Sequence, residues 1–381
     1  EPESGYAGSD VSAAGDFNGD GFDDVIVGAF GAGAGGANAG AAFVIFGSAT
    51  PTAVDLVDVA NGTGGFKIIG EDADDSVGGA VSSLGDVNGD GIDDIILGAI
   101  RNDGGGTNAG AAYVIFGTEE PASGLDLADI AGGTGGFKIT GLVNNDFLGI
   151  SVSAAGDING DGIADLVIGA NQDDTGGSAA GAAFVVFGAS SGLTSIDLND
   201  IVVGTGGYRI FGENGLDVSG FSVSAAGDVN GDGVDDLVIG APFNDAGGTN
   251  ADDEVGRAVS GAGDVNGDGF DDILIGVRES DQGISGGYSY NGGTTYVFFG
   301  GNFTNEVTAL GGGGNDTLTG SSGVDIMIGG AGNDVLDGAG GDDVLKGGGG
   351  DDTILIADDN FVRIQGGLGT DTLFAAASGL D

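Results

Sequence analysis

Cysteine and histidine are both absent from the 381 residues. Without cysteine no disulfide can staple the fold and no thiolate chemistry is available. Without histidine, the zinc-protease motif H-E-x-x-H and every catalytic triad built on imidazole are ruled out. Basic residues are scarce as well, 8 against 59 acidic ones, which leaves a formal charge of -51. Such a chain repels phosphate backbones and anionic bilayers, so nucleic acid is not an expected partner. No apolar run approaches the roughly 20 residues of a membrane helix, and membrane insertion is not expected. The opening "EPESGYAGSD" lacks the charged-then-apolar layout of a signal peptide and reads as a cut or processed end. Helical periodicity is missing almost everywhere.

What is present can still pack. Hydrophobic residues make up 40% of the chain and fall in short apolar runs, unlike the composition of a disordered acidic segment. The carboxylates then need counter-charge. Divalent cations at defined sites are the economical supply, and roughly ten of them would bring the charge to about -31.

The chain is repetitive. "DFNGDGFDD" at 16 returns as "DVNGDGIDD" at 86, "DINGDGIAD" at 157, "DVNGDGVDD" at 228 and "DVNGDGFDD" at 264. Each full period of about 70 residues places a run such as "AVSSLGD" before the acidic loop, "DDIILGA" after it, and "AGAAYVIFG" and "GGFKITG" later. These runs are rich in Val, Ile, Phe and Tyr and bounded by Gly, Asn and Asp, which predicts four strands per period. Several, such as "VIVGAF" and "AFVIFG", are apolar on successive residues, so neighbouring sheets should cover both faces. Four-stranded sheets stacked in series predict propeller blades. A stack of sandwich domains is the competing architecture, and 70 residues is short for one. The last interval is half as long because the chain passes from Asn250 directly to "ADDEVGRAVSGAGD", without counterparts of two strands. An unobserved stretch between Asn250 and Ala251 is the expected explanation, since a true deletion would leave an exposed sheet edge.

In D-x-N-x-D-G-x-x-D, side-chain oxygens at positions 1, 3, 5 and 9 and a carbonyl at position 7 can converge on one cation, and glycine at position 6 permits the sharp turn. Hard oxygen ligands in that number suit calcium better than magnesium. The expected ligands are Asp16, Asn18, Asp20, the Phe22 carbonyl and Asp24 in the first loop, and Asp86, Asn88, Asp90, Ile92 and Asp94 in the second. The third supplies Asp157, Asn159, Asp161, Ile163 and Asp165, and the fourth Asp228, Asn230, Asp232, Val234 and Asp236. The fifth supplies Asp264, Asn266, Asp268, Phe270 and Asp272. An EF-hand would need Glu at position 12, where Val27, Leu97, Ile168, Ile239 and Ile275 stand instead. A single loop of this type could be a solvated Asx-turn, but five copies with every side-chain ligand present argue against that.

These loops are followed by "VGAF", "LGAI", "IGAN" and "IGAP", and later strands close on Phe46-Gly47, Phe116-Gly117 and Phe187-Gly188. The pattern resembles FG-GAP repeats, as in the propellers of integrin alpha chains, over about residues 1 to 300. The resemblance implies a β-propeller with calcium in the hairpin loops between the first two strands of blades. Integrin propellers have seven blades and this chain shows five repeats, so blade count and ring closure stay open.

From Gly311 the sequence changes to tandem nonapeptides, "GGGGNDTLT", "GSSGVDIMI", "GGAGNDVLD", "GAGGDDVLK" and "GGGGDDTIL", with "GGLGTDTLF" following at 366. Each fits G-G-x-G-x-D-x-U-x, with Leu318, Met327, Leu336, Leu345, Ile354 and Leu373 at the apolar U position. The glycines turn the chain, the apolar residue points inward, and Asp316, Asp325, Asp334, Asp343, Asp352 and Asp371 are the expected calcium ligands. A flexible Gly/Asp linker would not keep the apolar position. This resembles the RTX, or haemolysin-type, repeat, which implies a parallel β-roll, export by a bacterial type I system and folding on extracellular calcium. Metal binding free energy then becomes folding free energy. The expected fold class is all-β, with a propeller over residues 1–304 and a β-roll over 305–381, in a chain belonging to a longer parent.

No catalytic activity is expected: nearly every clustered Asp is claimed by a calcium loop, although a carboxylate pair for glycoside chemistry is not excluded by composition. Tyr6, Tyr113, Tyr208, Tyr288, Tyr290 and Tyr296 read as core or sheet-face residues more readily than as sugar platforms. Three N-x-T matches, at 61, 302 and 315, are what chance gives in this composition. The expected role is calcium-dependent adhesion or scaffolding outside the cell, with a glycan or surface protein as candidate ligand. The alternatives are self-association as a structural subunit of a layer, matrix or filament, and a non-catalytic part of a secreted polysaccharide-active enzyme.

Overall fold

The computed structural model describes residues 5–33, 35–50, 53–191, 193, 196–244, 254–278, 294–302, 307–357 and 361–375. The short β-branched runs form antiparallel meanders, as the spacing predicts. In the first repeat β1 (Val11–Gly15), β2 (Asp24–Ala29), β3 (Ala41–Ile45) and β4 (Gly65–Ile69) pair in sequence order. The second repeats this with β5 (Val77–Gly85), β6 (Asp94–Ala99), β7 (Ala111–Ile115) and β9 (Gly136–Thr140). The third uses β10 (Val152–Gly156), β11 (Asp165–Ala170), β12 (Ala182–Val186) and β13 (Gly207–Phe211). Among the described residues the fourth repeat shows β14 (Ser222–Gly227) and β15 (Asp236–Gly240). The fifth shows β16 (Val255–Gly263), β17 (Asp272–Val277) and β18 (Thr294–Phe298). The stretch holding Asn250 and Ala251, and with it the expected gap, lies outside the described residues.

Blades stack because their two faces are both apolar. One core joins the first two blades through Ile26, Val44, Phe66, Leu97 and Tyr113, and another joins the second and third through Ile96, Val114, Phe137, Ile168 and Phe184. Strands β6, β7, β11 and β12 are accordingly buried along their whole length. The first strands β1, β5, β10, β14 and β16 line up side by side in that order. Among the described residues no packing of comparable extent joins β16 back to β1, so they form a propeller-like row with two ends. The cost shows at the first blade, where Val11 and Val25 are 61% and 44% exposed because no described blade packs against that face.

Three details were not legible as strands. A one-turn helix follows the third strand of each of the first three blades: α1 (Leu56–Ala60), α2 (Leu127–Ala131) and α3 (Leu198–Val202). Each is N-capped by an aspartate, Asp55, Asp126 or Asp197, whose carboxylate accepts the N–H two residues on. The short β8 (Leu125–Asp126) then lies parallel to β4, and Ile196 bridges in the same way to Ile139, so the next repeat covers the outer edge of each of the first two blades. All five β-hairpins carry a bulge just before the acidic loop, at Gly15, Gly85, Gly156, Gly227 and Gly263. These glycines sit at φ between 62° and 73°, a conformation that side chains with a Cβ disfavour.

The C-terminal region is a two-sheet parallel roll. One sheet holds β19 (Ala309–Gly313), β21 (Ile326–Ala331), β23 (Asp343–Gly349) and β25 (Phe361–Leu368). The other holds β20 (Thr317–Thr319), β22 (Val335–Asp337), β24 (Thr353–Ile356) and β26 (Thr372–Ala375). Two nonapeptides make one turn, so Met327 pairs with Leu345 and Leu336 with Ile354, and these four fill the interior. Leu373 departs from the inward expectation: it is 54% exposed, on the last rung, where no described strand follows to cover it.

Candidate calcium sites

The five acidic loops connect the first two strands of each repeat, and their local hydrogen bonds follow from the motif. In the first, Asp16 accepts from Asp20 N and Gly21 N at 2.9 Å each, Asn18 Oδ1 accepts from Asp20 N at 2.9 Å and Asp20 Oδ1 from Phe22 N at 3.0 Å. The same Asx-turns recur at Asn88 and Asp90, Asn159 and Asp161, Asn230 and Asp232, and Asn266 and Asp268. They hold side-chain oxygens on the concave side of a glycine-tightened turn.

Position 9 explains the glycine of the "FG" pair. Asp24, Asp94, Asp165 and Asp272 accept the amides of Gly47, Gly117, Gly188 and Gly300 at 2.8–2.9 Å, so the end of the third strand is tied to the loop. Burial pushes Asp24 up to about 6, Asp94 to about 7 and Asp165 to about 6, and the carboxylates at positions 1 and 5 push the same way. Asp236 also moves upward, chiefly through burial. Asp24 Oδ2 is buried with no hydrogen-bond partner. A buried anion with an orphaned oxygen and two further carboxylates in the same loop fits a hard divalent cation.

The loop carboxylates are not all drawn to one point. Among the described residues the one trio of acidic side chains whose oxygens all lie within 4.8 Å of one another is Glu71, Asp72 and Asp75, outside the loops. In the first loop the carboxylates of Asp16 and Asp20 instead accept backbone N–H groups. The trio itself is already compensated: Lys138 lies 2.6 Å from Glu71, Tyr113 donates to Glu71, and Asn102 donates to Asp75 at 2.7 Å.

Position 8 was missed by the ligand count. Asp93 accepts the N–H of Asp16 at 2.8 Å, Asp235 that of Asp157 at 2.9 Å, and Asp271 that of Asp228 at 2.8 Å. Each position-8 carboxylate thus reaches back to the loop before it and links neighbouring blades. The third loop has Ala164 there, so this link is missing between the second and third loops. The available signal was an aspartate in four of five copies with no ligand role.

A pair flanking the first two strands of a blade also varies. Asp75 accepts from Asn102 and Asp217 from Asn244 at 2.8 Å, but the equivalent Asp146 faces Asp173. Asp146 is 6% exposed, and burial together with Asp173 and Asp174 pushes it up to about 7, with Arg209 opposing. Asp173→Asn restores the missing donor. It also removes the carboxylate that lies 3.5 Å from Arg209, so the net stabilisation is expected to be about 1 kcal/mol above pH 7 and less near pH 5, where Asp146 already holds a proton. Equal gains at pH 5 and pH 8 in urea melts would contradict this.

In the roll, aspartates one turn apart are linked: the N–H groups of Asp316, Asp325, Asp334 and Asp352 donate to Asp334, Asp343, Asp352 and Asp371 at 2.7–3.0 Å. The second oxygens of Asp334 and Asp352 are buried without a partner. A Cβ placed on Gly329 would lie 2.5 Å from both Asp334 Oδ2 and the Gly347 carbonyl oxygen, so the glycine leaves open a space on which two hard oxygens converge. Burial, and the neighbouring Asp334 and Asp371, raise Asp352. This donor set fits calcium.

Known proteins match both regions. The FG-GAP repeat model matches residues 7–45, 77–115, 148–186, 219–253 and 255–298, and the RTX calcium-binding nonapeptide repeat matches 308–336 and 328–360. Integrin alpha pat-2 of Caenorhabditis elegans is 28% identical over 229 residues, covering 58% of this chain and 17% of the relative. Phosphatidylinositol-glycan-specific phospholipase D of Dictyostelium discoideum is 28% identical over 241 residues, 58% of this chain and 23% of the relative. Integrin alpha-2 of Mus musculus is 35% identical over 94 residues, 24% of this chain and 7% of the relative. The chain thus spans less than a quarter of the length of each of these relatives. With FG-GAP models matching 196 of its 381 residues, the chain belongs to the FG-GAP repeat family, and its RTX repeats make it a binder of several calcium ions.

Proposed function

We propose that this chain is a calcium-dependent extracellular adhesion or scaffold module without catalytic activity. It comprises a propeller-like unit over residues 1–304 and a roll over 305–381, and it folds on calcium after secretion. The side chains at positions 1, 3, 5 and 9 and the position-7 carbonyl of each loop hold one set of ions, and the roll aspartates hold another. The observation that carries this reading is the set of buried carboxylate oxygens of Asp24, Asp334 and Asp352 that no protein donor satisfies, in repeats of integrin and RTX type. No helix among the described residues is long and apolar enough to cross a membrane. Type I export is the reading of the RTX repeats.

The groove that suits an adhesion ligand is the one of about 380 Å³ where Tyr6 stacks on Phe30, with ring centroids 5.1 Å apart, beside Asn38, Ser76, Ile100 and Arg101. Tyr6 is therefore a surface residue, unlike Tyr113, which is fully buried as expected. Tyr288 and Tyr290 lie outside the described residues. The second reading, self-assembly, is favoured by a different observation: the first blade exposes Val11 and Val25 at one end of the row, and β18 exposes Tyr296, Val297 and Phe298 at the other.

Chain prepared in chelator and titrated with calcium to millimolar levels separates the readings by sedimentation velocity and negative-stain imaging. The expected result is a change from a folded propeller-like unit trailing an unfolded roll in chelator to a compact monomer in calcium. Ordered polymers would favour the structural subunit. A hydrodynamic radius indifferent to calcium would sink the proposal.

A further inference from the structure

The roll meets the propeller at the fourth acidic loop. Val344 from β23 lies against Gly233, and Ile328 from β21 lies against Gly231 and against Gly269 of the fifth loop. Gly231 and Gly233 are buried as a result, whereas their counterparts in the first three loops, Gly19 and Gly21, Gly89 and Gly91, Gly160 and Gly162, are exposed. Lys346 is 3% exposed and ion-paired with Asp228, the position-1 carboxylate of the fourth loop, which is fully buried. Arg363 lies 2.7 Å from Asp235 in the same loop and donates to the Gly233 carbonyl at 3.5 Å. Asp271 of the fifth loop accepts the Asp228 N–H and is drawn downward by both cations, against the larger effect of its burial.

These two residues are the only basic ones between positions 305 and 381, and two of only eight in the chain. Their placement is selective. Together they bring two positive charges, the charge of one calcium ion, to the loop that the roll covers. A buried ammonium is tolerable only while its carboxylate partner is free to compensate it. A divalent cation ligated by Asp228 would stand within a few ångströms of Lys346, where low dielectric makes like-charge repulsion severe.

We propose that the fourth loop is the docking seat of the roll and takes Lys346 and Arg363 as its counter-charge in place of an exchangeable calcium ion. A calcium ion in that loop and a docked roll then exclude one another. The linkage is reciprocal: whatever loosens the roll opens a calcium site, and calcium entering there releases the roll. The proposal rests on the reading that the loops bind calcium, and it exempts the fourth loop from that reading while the roll is docked.

The test counts bound ions on the full chain in millimolar calcium by equilibrium dialysis with radioactive calcium, and follows docking by the radius of gyration in small-angle scattering. Asp86→Asn, in the exposed second loop, is expected to lose one ion and stay compact. Asp228→Asn is expected to lose none and to show an increased radius as the roll detaches. Lys346→Met combined with Arg363→Gln is expected to gain one ion and also to expand. Loss of one ion in Asp228→Asn, or an unchanged ion count in the Lys346→Met, Arg363→Gln variant, overturns the proposal. Retention of every ion in Asp86→Asn overturns the calcium reading of the loops, and the proposal with it. Should the double variant not fold, the Asp228→Asn count decides alone.

Discussion

Gly98→Ala is expected to lower the stability of the calcium-loaded chain by about 2–3 kcal/mol, through overpacking of a junction with no slack. Gly98 lies in β6, every residue of which is buried. A Cβ there would fall on the carbonyl oxygen of Gly149, in the next blade, and 3.0 Å from its carbon. The obstacle is backbone on both sides, so no rotamer change relieves it. The same approach recurs at Gly28 with Gly78, Gly169 with Gly220 and Gly240 with Gly256, one contact per blade junction. These are the glycines of the "GA" pair that closes each second strand. Reduced entropy of the unfolded chain returns only about 0.4–1 kcal/mol. Gly79→Ala is the control, since a Cβ at that exposed position meets nothing nearer than 3.8 Å and its φ is not in the left-handed region. Urea melts in millimolar calcium should move the midpoint for Gly98→Ala and leave Gly79→Ala within about 0.5 kcal/mol of the parent. Similar midpoints for the two variants would mean that the blades are not held at this distance.

How much of this could be read from the sequence follows the range of each interaction. The Asx-turns of "DFNGDGFDD" bind residues two to five apart, and the nonapeptide of the roll repeats its own neighbours, so both announce themselves locally. The helices did not, because a single turn such as "LVDVA" is too short for a 3.6-residue period to show. Asp93, Asp235 and Asp271 act on the preceding repeat, 77, 78 and 43 residues away, and nothing beside them in the chain says so. The exposure of Leu373 and Val25 depends on what does or does not pack beyond them. Lys346 stands at a position in its nonapeptide that the motif leaves free, and only the arrangement of roll and propeller gives it a partner.

Calcium affinity is expected to rise with pH between about 5.5 and 7.5, with protons released on binding, and chelated protein should show the opposite trend in stability. The sign follows from the buried position-9 carboxylates. In the unfolded chain they titrate near 3.8, whereas in the fold without metal burial holds Asp24 and Asp165 near 6 and Asp94 near 7. Between these values the native state binds protons that the unfolded state has shed. Stability in chelator is therefore greatest below about pH 4 as far as these groups are concerned. It falls as pH climbs to about 7 and is level above that, by several kcal/mol in all. Asp146, outside the loops, adds to the fall and is not relieved by metal. Calcium requires the ionised ligands, so below pH 6 it must displace protons, and above pH 7 it finds carboxylates that lack only a counter-charge. Calorimetric titrations with calcium at pH 5.5, 6.5 and 7.5, in buffers of different ionisation enthalpy, measure affinity and proton release together. Thermal melts in chelator and in millimolar calcium over the same range complete the comparison. A flat affinity with no buffer-dependent heat would show that the position-9 aspartates are ionised before the ion arrives, and that backbone N–H groups rather than protons hold them in the metal-free fold.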